Sequence, residues 1–121
     1  MQEKIYKYDL NKEYFFVEGC FINELLNDST DPDVSIAQAR VTPGMTTAWH
    51  YLSETTERYV ILQGHGEVSV GSELKRNVTV GDVVVIPQEI HQCIKNIGSA
   101  DLVFLAICSP RFKAENYREV S

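Results

Sequence analysis

The chain is short of several things, and each shortage narrows what it can be. It has three cysteines, Cys20, Cys93 and Cys108, an odd number with no CxxC pair, each in an apolar setting. Such thiols read as small buried hydrophobes. Basic residues are outnumbered, 11 against 17, which leaves a net charge of -6. The nearest approach to a basic cluster is Lys75-Arg76, a pair typical of a solvated turn. A nucleic-acid partner is therefore not expected, because backbone phosphates call for a clustered basic face. No apolar run approaches the roughly 18 residues of a membrane span, so no membrane partner is expected either. The opening MQEKIYKYDLNKEY is polar and mixed in charge, unlike a secretory leader, and the expected location is cytoplasmic. Long helical periodicity, internal repeats and low-complexity tracts are also missing.

What remains is a chain of 121 residues, 44% apolar, sized for one domain with a real core. Residues 1–13 read as a polar arm that orders by docking. Short extended runs follow at Tyr14–Val17, Cys20–Leu26, Val34–Val41, Thr46–Leu52, Arg58–Gln63, Glu67–Val70, Asn77–Val80, Val83–Ile86, His91–Asn96 and Leu102–Ile107. Gly, Pro, Asn or Asp bounds each, most densely in NDSTDPD, Asn27 to Asp33. Strands at such spacing predict an all-β antiparallel sandwich or barrel. Lys113–Val120 is the one helical candidate near the end, a turn or two on the outside.

Chemistry concentrates in Gly44–Gly64, GMTTAWHYLSETTERYVILQG. Two strands joined by the polar loop Ser53–Thr56 bring His50 and Glu57 side by side. An imidazole beside a carboxylate makes half of a metal site, or an acid–base pair.

This stretch resembles the first motif of the cupin superfamily, G(X)5HXH(X)3–4E(X)6G, through Gly44, His50, Glu57 and Gly64. The second, G(X)5PXG(X)2H(X)3N, is matched by Gly81, Pro87 and Asn96 in GDVVVIPQEIHQCIKN. The flanks EGCFINELLN and LVFLAICSPRFKAENY extend the likeness to small single-domain cupins over nearly the whole chain. The resemblance implies a double-stranded β-helix (jelly-roll) barrel over residues 1–121, with residues 1–17 as an N-terminal arm and strand. It also implies a homodimer, with the arm crossing to the partner and Trp49 in an apolar interface.

Three positions depart from the pattern: Leu52 replaces the second histidine of motif one, Glu89 replaces the glycine after Pro87, and Gln92 stands where motif two has histidine, with His91 one residue earlier. Strand parity bears on this last point. If Gln92 faces inward, Ile90 and Ile94 accompany it; if His91 does, Lys95 comes with it, which is costly unless paired. Parity favours Gln92, although a bulge near Pro87 would reverse the choice. The same alternation turns Ala48, His50 and Leu52 inward, with Glu57, Tyr59, Ile61 and Gln63 on the next strand.

The family's usual site offers three histidines and a glutamate to a divalent ion. Here the resemblance leaves His50, Glu57 and Gln92 as metal ligands for Fe, Mn, Ni or Zn, with the alternative that they form a closed polar network holding no ion. Glu57 and Tyr59 are the candidate catalytic groups, able to move a proton. Gln38, Arg40, Leu52 and Gln63 are the candidate substrate-pocket residues, Arg40 being suited to an anionic group. Two functions compete: a metal-binding, metal-dependent enzyme of isomerase or dioxygenase type acting on a small polar metabolite, and a non-catalytic small-molecule-binding or sensor protein with a weakened metal site.

Overall fold

The computed structural model describes residues 1–120. Its strands, in chain order, are β1 (Tyr14–Phe16), β2 (Cys20–Leu26), β3 (Ser35–Val41), β4 (His50–Leu52), β5 (Thr56–Gln63), β6 (His65–Val70), β7 (Leu74–Thr79), β8 (Val83–Ile86), β9 (Gln92–Asn96), β10 (Leu102–Ser109) and β11 (Tyr117–Glu119). They form two antiparallel sheets. One runs β1-β2-β3-β10-β5-β8, the other β11-β4-β9-β6-β7. The all-β jelly-roll expectation holds.

Period-two patterning explains why the sheets stack. Along β10, Leu102, Phe104, Ala106 and Cys108 are buried, and the intervening residues are half-buried on the outer face. On β5 the buried set is Glu57, Tyr59 and Ile61, and on β9 it is Gln92, Ile94 and Asn96. The inner faces interdigitate around Ile61, Ile86, Ile94, Leu102 and Phe104. Each such side chain contributes roughly 1.5–3 kcal/mol by leaving water.

Turn chemistry fixes the register. Gly64, between β5 and β6, has φ +87°, and a Cβ there would lie 2.8 Å from the Asp101 carbonyl oxygen. No other residue type fits that backbone without displacing the β10 entry. Asn96 is structural: its buried amide donates to the carbonyls of Val41 and Ala100 at 2.8 Å, and its Oδ1 accepts from the Gly98 N–H.

One expectation is corrected. Lys113–Val120 is no outer helix: a 3-10 turn at Ala114–Asn116 leads into β11, which pairs with β4 through Tyr117↔Leu52 and Glu119↔His50. The unpaired edge of β4 prevails over weak local helical preference. The N-terminal arm docks on the body of the chain. The Tyr6 hydroxyl donates to Asp28 at 2.9 Å, and the Asn23 amide donates to the Asp9 carbonyl at 3.0 Å. No helix among the described residues is long and apolar enough to cross a membrane.

Candidate functional site

A cavity of about 50 Å³, open at one end, lies between the sheets. His50, Leu52, Glu57, Tyr59, Phe104 and Cys108 line its inner part, with Glu18, Phe16, Phe112 and Tyr117 closer to the edge strands.

His50 sits on β4 with its ring buried. Its Nδ1 lies 2.7 Å from the Ala48 carbonyl oxygen, which only accepts, so Nδ1 carries a proton. Its Nε2 lies 3.1 Å from Glu18 Oε2. With Nδ1 already protonated, that contact is attractive only if a further proton lies between Nε2 and the carboxylate. Backbone pairing places Glu18: it occupies the turn between β1 and β2, just before Gly19 at φ +97°, and its carbonyl accepts from the Ala48 N–H at 2.6 Å. Ala48 thus holds Glu18 through its amide and His50 through its carbonyl. Tyr117 stacks on the imidazole, centroids 5.0 Å apart.

Glu57 belongs to a second, deeper network. Gln92, paired across from His50, donates through Nε2 to Glu57 Oε1 at 2.7 Å, and its Oε1 accepts from the Tyr59 hydroxyl. The Cys108 thiol faces Glu57 Oε2 at 3.8 Å. Burial, reinforced by the Glu18 charge, pushes the Glu57 carboxyl up to about 7, against the bonds from Gln92 and Cys108. Burial and then Glu57 hold the Tyr59 phenol well above its usual range. The Cys20 and Cys108 thiols also go up, first through burial and then through Glu18 and Glu57 respectively.

The sequence-derived candidates therefore separate. His50, Glu57 and Gln92 come together, with Tyr59 and Leu52 beside them. Gln92 faces inward, whereas His91 stacks on Tyr51 and meets Trp49 edge-on outside the barrel. Gln38, Arg40 and Gln63 lie off the cavity, correcting their assignment to the substrate pocket. Arg40 projects from the other face of β3, pairs with Glu13 at 2.7 Å and Asp101 at 3.2 Å, and covers the Phe21 ring. Gln38 Nε2 donates to the Tyr8 hydroxyl, and exposed Gln63 donates to the Asp101 carbonyl. Missed in the sequence were Glu18 and Tyr117, whose positions come from long-range backbone pairing; the glycine after Glu18 was their one local sign.

The divalent ion fares poorly against this donor set. Both His50 nitrogens, both ends of the Gln92 amide and one Glu57 oxygen are already engaged. Among the described residues no group of three or more His, Cys, Asp or Glu side chains is arranged to hold a metal. A neutral amide spent on a phenol and a carboxylate is a poor ligand besides. As arranged, His50, Glu57 and Gln92 do not fit the ion.

A protein-family model described as Cupin domain matches residues 37–108, more than half of the chain. The chain belongs to the cupin family. This cupin is 34% identical over 112 residues to an uncharacterized protein of Methanocaldococcus jannaschii, covering 91% of this chain and 89% of that one. It is 35% identical over 102 residues to the oxalate decarboxylase OxdC of Bacillus subtilis, covering 78% of this chain but only 26% of that protein. Among solved structures, a nucleoside dehydratase, seen elsewhere as a Streptomyces protein with uridine, superposes with a TM-score of 0.78 at 17% identity, covering 97% of this chain and 92% of that one. At that identity the likeness is one of fold.

Proposed function

We propose that this cupin is an acid–base catalyst of lyase or isomerase type, acting on a small molecule in the cavity between its sheets. The observation that carries this reading is the contrast between two carboxyls facing one cavity. Glu18 lies 3.1 Å from the His50 Nε2, its partner in a charge-assisted contact. Glu57 meets no cation, is buried and is pushed up to about 7. Carboxyls in such unlike surroundings divide into a base and an acid. Glu18, steadied by His50, takes a proton from a carbon beside a carbonyl. Glu57 delivers one to a carbonyl oxygen or a departing hydroxyl, oriented by Gln92 and through it Tyr59. Leu52 and Phe104 exclude water.

Elimination of water, the reaction named for the nucleoside dehydratase of the same fold, belongs to this class. Decarboxylation of oxalate, the activity named for the partial relative OxdC, would bring a dianion to a cavity lined by carboxylates. Cupins commonly bind divalent metals, but the donor set here favours direct proton transfer.

The test is exchange in deuterium oxide. Small hydroxy and oxo compounds are incubated with the protein after chelator treatment and followed by proton NMR. Loss of a carbon-bound proton signal that needs both Glu18 and Glu57 is expected. Exchange that appears only on adding a divalent metal would sink the reading.

A further inference from the structure

The cavity's charges and its one unsatisfied hydroxyl say which ligands suit it. Its ionisable lining includes Glu18, Glu24, Glu57 and His50, with no lysine or arginine. Counting the His50–Glu18 pair as neutral, the exposed Glu24 carboxylate leaves the space net negative. Two phenols of the lining lie beside these carboxylates. Tyr14 is raised by burial and then by Glu24, and Tyr117 by burial and then by Glu18. An anionic ligand would meet the same repulsion, and Arg40, the nearest cation on β3, is tied to Glu13 and Asp101 on the far side of that strand.

Aromatic rings make up much of the rest. Phe16 sits edge-on to Tyr14, Phe112 and Tyr117 at 6.4, 6.3 and 5.1 Å, and all four rings line the cavity. Ring faces beside carboxylates form a setting that attracts organic cations. Tyr117 adds a specific element. Its hydroxyl is the one buried side-chain polar atom among the described residues without a hydrogen-bond partner. A buried hydroxyl left so costs about 1–3 kcal/mol, a cost that a ligand oxygen would remove.

We infer that the ligand of this cavity is a small organic cation, an amine or quaternary ammonium compound, that carries an oxygen accepting a hydrogen bond from Tyr117. The inference rests on the reading of this cavity as the functional site, and deepens it by naming a ligand class. The cationic group lies among Phe16, Tyr14 and Glu24 toward the mouth. The oxygen lies inward beside Tyr117, within reach of Glu18.

Choline and its uncharged isostere 3,3-dimethylbutan-1-ol differ only in the quaternary atom, nitrogen against carbon, and so isolate the charge. Both are titrated into the wild-type protein at low salt, by calorimetry and by saturation-transfer NMR, with glycolate as the anionic probe and manganese as the metal one. Choline is expected to bind about tenfold more tightly than the isostere, the size of a partly desolvated cation–π and carboxylate contribution. Glu24→Gln and Tyr117→Phe are each expected to weaken choline several-fold, with Tyr117→Phe unfolding no earlier than wild type. Equal binding of the two compounds, binding of neither at millimolar concentration, tighter binding of glycolate, or displacement of choline by manganese would overturn the inference. None of these results bears on deuterium exchange into uncharged compounds, so the acid–base reading fails or stands separately. A fall in the melting temperature of Tyr117→Phe would mean that the hydroxyl serves the fold, and would remove Tyr117 from the proposal.

Discussion

The Nε2 of His50 points at Glu18, 3.1 Å away, and not at Glu57. The imidazole is thus bound to a carboxylate from the turn between the edge strand β1 and its neighbour β2, while the motif carboxylate lies in a separate network.

That pairing has a measurable energy. Glu18→Gln leaves the buried imidazole without its counter-charge and is expected to cost about 3 kcal/mol of stability in urea unfolding. His50→Leu combined with Glu18→Leu should cost less than the sum of the single changes. Additive costs would show that the contact contributes nothing. Nitrogen NMR of the His50 ring should find a proton on Nδ1, the nitrogen that faces the Ala48 carbonyl.

Glu57 predicts a pH dependence. Its carboxyl is raised from 4.5 to about 7 in the folded protein. The stability this contributes is fully present below the unfolded value and is lost as pH rises through the folded one. Across that window the loss reaches about 3 kcal/mol. Melting temperature should therefore fall between pH 5 and 8, and Glu57→Gln should flatten the slope. An unchanged slope in Glu57→Gln would assign the titration elsewhere.

Gln92 and His91 are adjacent but should respond very differently. Gln92→Ala leaves the Tyr59 hydroxyl and a Glu57 oxygen without partners in the core, a cost of about 2–4 kcal/mol. His91→Ala trims an outer ring contact and should stay within about 1 kcal/mol of wild type. Denaturant titration of the two variants separates the faces of β9.

Metal removal supplies a further check. With the donor atoms of His50 and Gln92 engaged internally, dialysis against a chelator should leave the melting temperature unchanged. Adding manganese or zinc should not raise it. A rise of several degrees with one metal would mean that the His50–Glu18 and Gln92–Tyr59 contacts yield to an ion.

How much of this was legible in the sequence depends on the range of the interaction. Period-two alternation groups His50 with Leu52 and Glu57 with Tyr59, because a strand's faces are set by neighbouring residues, and the same rule separates Gln92 from His91. Alternation says nothing about which face of an isolated strand is inner. Gln38 and Arg40 share a face of β3, and that face turned out to carry the Glu13 and Asp101 ion pairs. Gln63 follows the inward parity of β5 but lies where the strand outruns its cover, at the register shift beside Val103. Glu18 and Tyr117 reach the cavity through partners far along the chain, Ala48 and Leu52, and no local pattern records such pairing.

β11 follows every other strand in the chain, yet it presents Tyr117 to the imidazole. The strands bearing His50, Glu57 and Gln92 all precede it in the chain. The imidazole is thus roofed by three residues hydrogen-bonded along one margin of a sheet. A strand so attached is held from one side only, so the cover over the imidazole depends on its pairing with β4 alone.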